Sequence, residues 1–224
     1  EVNPDRGASI DLPDVPEAEG PDEELPKEET NEVSYSDIEP QQPLSNPPDV
    51  IKAVYATSWS ASSKSKMDYL IDLINTTELN AIVIDIKDFS GMVLYDADVS
   101  QVNEYNAKEV RITQINGLIK RLHDNGIYVI ARQTVFQDPA LVNARPDLAV
   151  KNAYTGGVWK DRKGLSWIDP GSKEAWDYNI AIAKDAAGRG FDEINFDYIR
   201  FPTDGKMADI VYTNGNEKRW DVMS

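Results

Sequence analysis

Four short runs of strand-forming residues, AVYAT (53–57), AIVIDIKD (81–88), IYVIARQTVF (127–136) and FDEINFDYIRFP (191–202), alternate with segments of helical periodicity. This alternation constrains the fold more than any other feature of the chain. The intervening helices put Met67, Leu70, Ile71 and Ile74 on one face, then Ile115, Leu118, Ile119 and Leu122, then Trp176, Ile180, Ala183 and Ala187. Asn125-Gly126 closes the second helix, and Asp169-Pro170 reads as the N-cap and first residue of the third. Strand and helix in strict succession are the mark of parallel βα units, so the expected class is α/β.

Parallel strands are covered by helices, and the covered face must be apolar. With a side-chain period of two, Ile82, Ile84 and Ile86 face the helices, which turns Val83, Asp85 and Lys87 inward. In the fourth strand Ile194 and Phe196 face out, and Asn195 and Asp197 face in. Two carboxylates, Asp85 and Asp197, then approach the C-terminal ends of strands 2 and 4. In a βα barrel those ends form the active-site rim. A buried charge must be paired or used. An internal salt bridge, with Lys87 or Arg132 neutralising each acid, would account for them without any chemistry.

Composition separates a tail from this body. Residues 1–50 hold 15 acidic against 2 basic residues and 9 of the 13 prolines. Residues 51–224 therefore carry 24 acids against 21 bases, a net charge of −3. Such a segment cannot bury enough apolar surface to offset its ordering entropy, so residues 1–49 are expected to form a disordered linker. Residues 50–224 are expected to fold. Clustered Lys and Arg are missing, which argues against a nucleic-acid partner. With no cysteine, disulfides and thiolate metal sites are excluded. A chain that begins at Glu1 and carries a long Pro/Glu spacer is expected to hang from an upstream membrane or cell-wall tether, in an extracellular or cell-surface setting.

The phrases NAIVIDIKDFSG, RQTVFQDP, LSWIDPGSKEAWDY and FDEINFDYIRFPTDG together resemble the putative glycosyl hydrolase domain family, over residues 51–213. That resemblance implies a glycoside-hydrolase-like (β/α)8 TIM barrel, distantly similar to the α-amylase clan. The acid that ends strand 4, here Asp197, takes the nucleophile position. An α-amylase-type strand 4 carries Arg two residues before that acid, where this chain has Asn195. Strands 5 to 8, which should supply the general acid, do not follow. About four βα units are present, expected either as half of a longer barrel or as a half that must find its complement.

The expected function is hydrolysis of a polysaccharide or cell-envelope glycan, with a carbohydrate as partner and no cofactor or metal. Asp197 serves as nucleophile or charge stabiliser and Asp85 as second acid or sugar-hydroxyl acceptor. Lys87, Arg132 and Arg200 orient or tune them, and Asp88 and Gln133 join the polar substrate contacts. Sugar rings stack on aromatic faces, for which Trp59, Trp159, Trp167 and Tyr198 are candidates. Carboxyl separation selects the outcome, about 5–5.5 Å for retention and roughly 6.5–9.5 Å for inversion. Strands 2 and 4 lie about 10 Å apart at the backbone, and side-chain lean allows either. The alternative is a non-catalytic carbohydrate-binding or envelope scaffold domain. His123, the sole histidine, lies near the C-terminus of its helix, where a capping role is expected. Asp96, Asp98 and Asn103 lack the spacing of an EF-hand loop.

Overall fold

A computed structural model describes residues 36–213. In chain order its strands are β1 (Ala53–Ala56), β2 (Ala81–Lys87), β3 (Val93–Tyr95), β4 (Lys108–Ile112), β5 (Tyr128–Thr134), β6 (Lys151–Asn152), β7 (Glu193–Asp197) and β8 (Ile210–Val211). The α-helices are α1 (Ser58–Ala61), α2 (Lys64–Thr76), α3 (Ser100–Glu104), α4 (Ile115–Asp124), α5 (Pro139–Ala144) and α6 (Lys173–Gly188). The four expected strands are β1, β2, β5 and β7, and they lie side by side in that order, all parallel. The protein is a mixed α/β fold built on a parallel sheet.

β2 is the spine of the sheet. β5 pairs along one edge of it, while β1 and the antiparallel β3 share the other, with β4 paired to β3. Ile82, Ile84 and Ile86 are fully buried, each burial contributing about 1.5–3 kcal/mol. Helix α2 packs Met67, Ile71 and Ile74 against the core, and α4 packs Ile115, Leu118, Ile119 and Leu122, as their periodicity predicts. Nothing in the short VLY and KEVRI segments marked β3 and β4, respectively, as strands.

The third long helix differs from expectation. Its buried stripe is Ala175, Tyr178, Asn179, Ile182, Ala183 and Ala186, while Ile180 is 44% exposed. This face is rotated by about one residue, because a polar side chain, Asn179, is used inside the core. The N-cap is Ser172, whose Oγ accepts from Ala175 N. Asp169 instead accepts from the backbone N–H groups of Gly171 and Thr213.

A bulge alters the inward set of β2. Asp85 pairs with Arg132 and Lys87 with Gln133, so Ile86 is an extra residue on β2. One inserted residue moves Lys87 to the opposite face. The expectation that Lys87 faces inward is therefore corrected. Its ammonium is buried in the helix layer and donates to Asp138 Oδ2 at 2.7 Å, Thr134 O at 2.8 Å and Asn179 Oδ1 at 3.3 Å.

The boundary of the folded unit also moves. Residues 36–49 were expected in the linker, but they hold defined contacts on the folded body. Asp37 accepts from Asn116 N and Gly117 N, Asn116 Nδ2 donates to Ile38 O, and Leu44 N donates to Asp192 Oδ1. The gain is local: α4 has no side-chain cap of its own at Gln114, and Asp37 satisfies its first N–H groups from a distance. Residues 1–35, where the disorder expectation falls for the most part, lie outside the described residues.

Candidate functional site

A cleft of about 470 Å³ opens at the C-terminal ends of β1, β2, β5 and β7. One row of register partners crosses its floor: Asp85 on β2, Arg132 on β5 and Asn195 on β7. Asp197 stands two residues further along β7, on the same face. Arg132 Nη1 donates to Asp85 Oδ1 at 2.6 Å, Nε donates to Asp197 Oδ2 at 2.9 Å, and Nη2 also binds Asp197 Oδ2. One guanidinium therefore links both carboxylates. The Arg132 side chain reaches from the strand beside Asn195 to the acid that ends β7.

The electrostatics favour charge on Asp197 and Arg132. Burial alone would push the Asp197 carboxyl up, but hydrogen bonds from Arg132 and Tyr198 N, with the charges of Arg132 and Arg200, outweigh it and hold it below the usual carboxylate range. Tyr198 N donates to Asp197 Oδ1 at 2.7 Å. Tyr55 OH donates to Asp85 Oδ2, and burial, together with the hydrogen bond and charge of Asp85, pushes this phenol up to about 12. Both oxygens of Asp85 are thus engaged. The Asp197 side chain is still 43% exposed, and Arg132 joins it to the cleft.

Tyr198 takes φ +52°, a left-handed conformation that costs a residue with a β-carbon about 1–2 kcal/mol. It is held by Phe136 N donating to its carbonyl, by the Trp167 ring at 5.8 Å and by Arg200, whose Cζ lies 5.3 Å from its centroid. Asp88 accepts from Ser90 N at 2.9 Å and from Arg111 Nη1 at 3.0 Å. Arg111 in turn lies 4.6 Å from the centroid of Trp59, an indole 65% exposed on the cleft wall.

Of the residues singled out from the sequence, Asp85, Asp88, Arg132, Trp59 and Tyr198 line the cleft, Asp197 joins them through Arg132, and Arg200 lies behind Tyr198. Lys87 and Gln133 are elsewhere. Gln133 is fully buried and donates to Asn179 O and Oδ1, because it shares the helix-facing row with Lys87. Trp167 and Trp159 are also buried, with Nε1 groups donating to Asp161 Oδ2 and Lys206 O, so neither offers a free face for stacking. His123 lies in the last turn of α4, as expected, and its Nε2 also meets Asp192 Oδ2 at 2.9 Å. Several residues of the cleft lining were missed, Tyr55 and Arg111 among them. Tyr55 was legible, since alternation along AVYAT sets it on the Asp85 face; Arg111 was not, since it sits on the unforeseen β4. Among the described residues no group of three or more His, Cys, Asp or Glu could hold a metal ion.

A family model described as a putative glycosyl hydrolase domain matches residues 53–224. The chain is similar to a solved hypothetical protein from Ruminiclostridium thermocellum, with 40% identity and a TM-score of 0.71 over 76% of this chain and 86% of that one. It is also similar to the cycloalternan-forming enzyme of Listeria monocytogenes, solved with a pentasaccharide substrate, at 13% identity and a TM-score of 0.50. That second likeness is one of fold alone, and it spans 77% of this chain but 18% of the enzyme. No curated protein matches.

Proposed function

The chain belongs to the putative glycosyl hydrolase domain family, and from that premise we propose that its cleft takes a glycan and that Asp197 is the group that acts on it. The observation that carries this reading is the sharing of Arg132 by Asp85 and Asp197 at the strand ends. A carboxylate held ionised, oriented by a guanidinium of the cleft and partly exposed to solvent suits attack on, or stabilisation of, an oxocarbenium-like sugar centre. Asp85, fixed by Arg132 and Tyr55, accepts a sugar hydroxyl or sets the angle of Arg132. Trp59 provides the exposed aromatic face.

Both acids accept from donors already in place, Asp85 from Arg132 and Tyr55 and Asp197 from Arg132 and Tyr198 N. The general acid then has to come from beyond β7, which fits the finer reading that β1, β2, β5 and β7 are the first four strands of a (β/α)8 barrel. Phe196 within β7 and Ile199 just beyond it, 41% and 55% exposed, are the apolar surface that a following βα unit would cover. An extracytoplasmic setting, with a tether ahead of the acidic segment, belongs to the same proposal. A second reading, a glycan-binding domain without turnover, draws on the same engagement of both carboxylates.

The test is hydrolysis and binding of an oligosaccharide panel by the full-length protein and its Asp197→Asn variant. Turnover lost with binding and melting temperature retained supports catalysis. Binding without turnover in the unaltered protein supports the second reading, and turnover unchanged by Asp197→Asn overturns the role given to Asp197.

A further inference from the structure

The turn at residues 160–164 stands between two openings. Lys163 and Leu165 line the cleft of Asp85 and Arg132, whereas Lys160 and Arg162 line a second opening of about 590 Å³ with Lys206 and Asp209. The turn is rigidly built. Asp161, 8% exposed, accepts from Lys163 N and Leu165 N at 2.9 Å through Oδ1, and from Trp167 Nε1 at 3.0 Å through Oδ2. Gly164 supplies the positive φ of +80° that the reversal needs. Below it, Trp159 is buried and ties the turn to Lys206 O at 3.2 Å.

The cations this turn presents differ from the others nearby. Arg132 is spent on Asp85 and Asp197, and Arg111 on Asp88 and Glu109. Lys160, Arg162, Lys163 and Lys206 are exposed and carry no ion pair or side-chain hydrogen bond with any described residue. The acids lining the second opening are Asp161, whose oxygens both accept from N–H groups, and Asp209, so three cations face two carboxylates there, a net formal charge of +1. In a body whose residues 51–224 carry net charge −3, this is a local excess of the opposite sign at the rim of the cleft. Like charges held together repel, and an anion bridging them would relieve that repulsion. Arg and Lys donors on a fixed backbone are also the groups that recognise carboxylate and phosphate.

We propose that the 160–163 turn is an anion-reading subsite of the glycan cleft, which selects sugars bearing carboxylate or phosphate over neutral ones. The proposal rests on the glycan reading above and names its substrate class. Lys163 contacts the acidic group of a residue seated in the cleft, and Lys160, Arg162 and Lys206 contact that of a residue further along the chain.

The test uses an array of matched oligosaccharides in which a primary hydroxyl is kept, oxidised to a uronate carboxylate or replaced by a 6-phosphate. The unaltered protein should bind acidic members roughly tenfold more tightly than their neutral counterparts, the scale of charge-assisted hydrogen bonds. This preference should weaken with added salt. The variant K160Q/R162Q, whose residues line the second opening and not the cleft, should lose most of the preference while keeping its melting temperature and its binding of neutral members; Lys206→Gln, outside the turn, gives a second and independent loss. A preference for uronate over phosphate, or the reverse, assigns the source of the anion. Equal binding of neutral and acidic members overturns the inference and leaves the glycan reading standing. Binding of no member overturns both.

Discussion

Lys87 and Asp138 form an ion pair at 2.7 Å in which neither side chain is exposed to solvent. The pair lies behind the cleft floor: Asp138 caps α5 through Leu141 N, and Lys87 also holds the Thr134 carbonyl. Burial pushes the Asp138 carboxyl up, against the lowering effect of Lys87 and the Leu141 N–H. Removing one partner leaves the other charged and without compensation. Lys87→Met should destabilise the fold by about 3–5 kcal/mol, and pairing it with Asp138→Leu should recover part of that loss. Denaturant melts of both variants check this, and a Lys87→Met protein as stable as the original would show that the pair is dispensable.

Gly91 approaches the same acid. Its φ is +83°, and a β-carbon added there would overlap Asp138 Oδ1 and lie 3.0 Å from Ala140 N. Gly91→Ala should cost more than about 2 kcal/mol, since backbone strain and displacement of Asp138 add. Gly156, with a similar φ of +69° and open space around it, is the control; Gly156→Ala should cost about 1–2 kcal/mol, from strain alone.

Asp197 should give a specific acid sensitivity. Its carboxyl lies below the usual range, so the stability it contributes is present above the unfolded value of about 3.9 and is lost as pH falls through the lower folded value. With a side chain 43% exposed, that contribution is expected to stay under about 1 kcal/mol. Asp197→Asn leaves Arg132 still paired with Asp85, so its melt near neutral pH should shift by no more than about 1 kcal/mol. Denaturation midpoints at about pH 3 and about pH 7 should differ less in the variant than in the original, and identical pH dependence would mean that Arg132 and Asp197 do not pair in solution.

The segment 36–49 should behave as part of the fold. Asp37→Ala removes the acceptor for two N–H groups at the start of α4 and should cost about 1 kcal/mol. Asp192→Ala should cost more, because this buried carboxylate accepts from Leu44 N, Val129 N and His123 at once. Limited proteolysis should leave a core that retains Asp37. A resistant fragment beginning near Val50, with unchanged stability, would return these residues to the linker.

Period-two alternation and helical spacing determined which segments become the four central strands and two of the three long helices, and that Asp85 and Asp197 share a face. These are local properties, written in consecutive side chains. The face of Lys87 depended on a single extra residue in β2, which only pairing against β5 creates, whereas Gln133 faces the helices because it is the immediate neighbour of the inward Arg132 on β5. The stripe of α6 was set by what lay opposite it, Asn179 being needed by Lys87 and Gln133. Whether Arg132 serves one acid or two could not be read from spacing, since Asp197 is 65 residues away and reached across a strand boundary. Sequence alone selected the elements because their preferences are short-range. Tertiary structure decided which charges are spent and which remain free, because that depends on partners brought together only when the sheet is assembled.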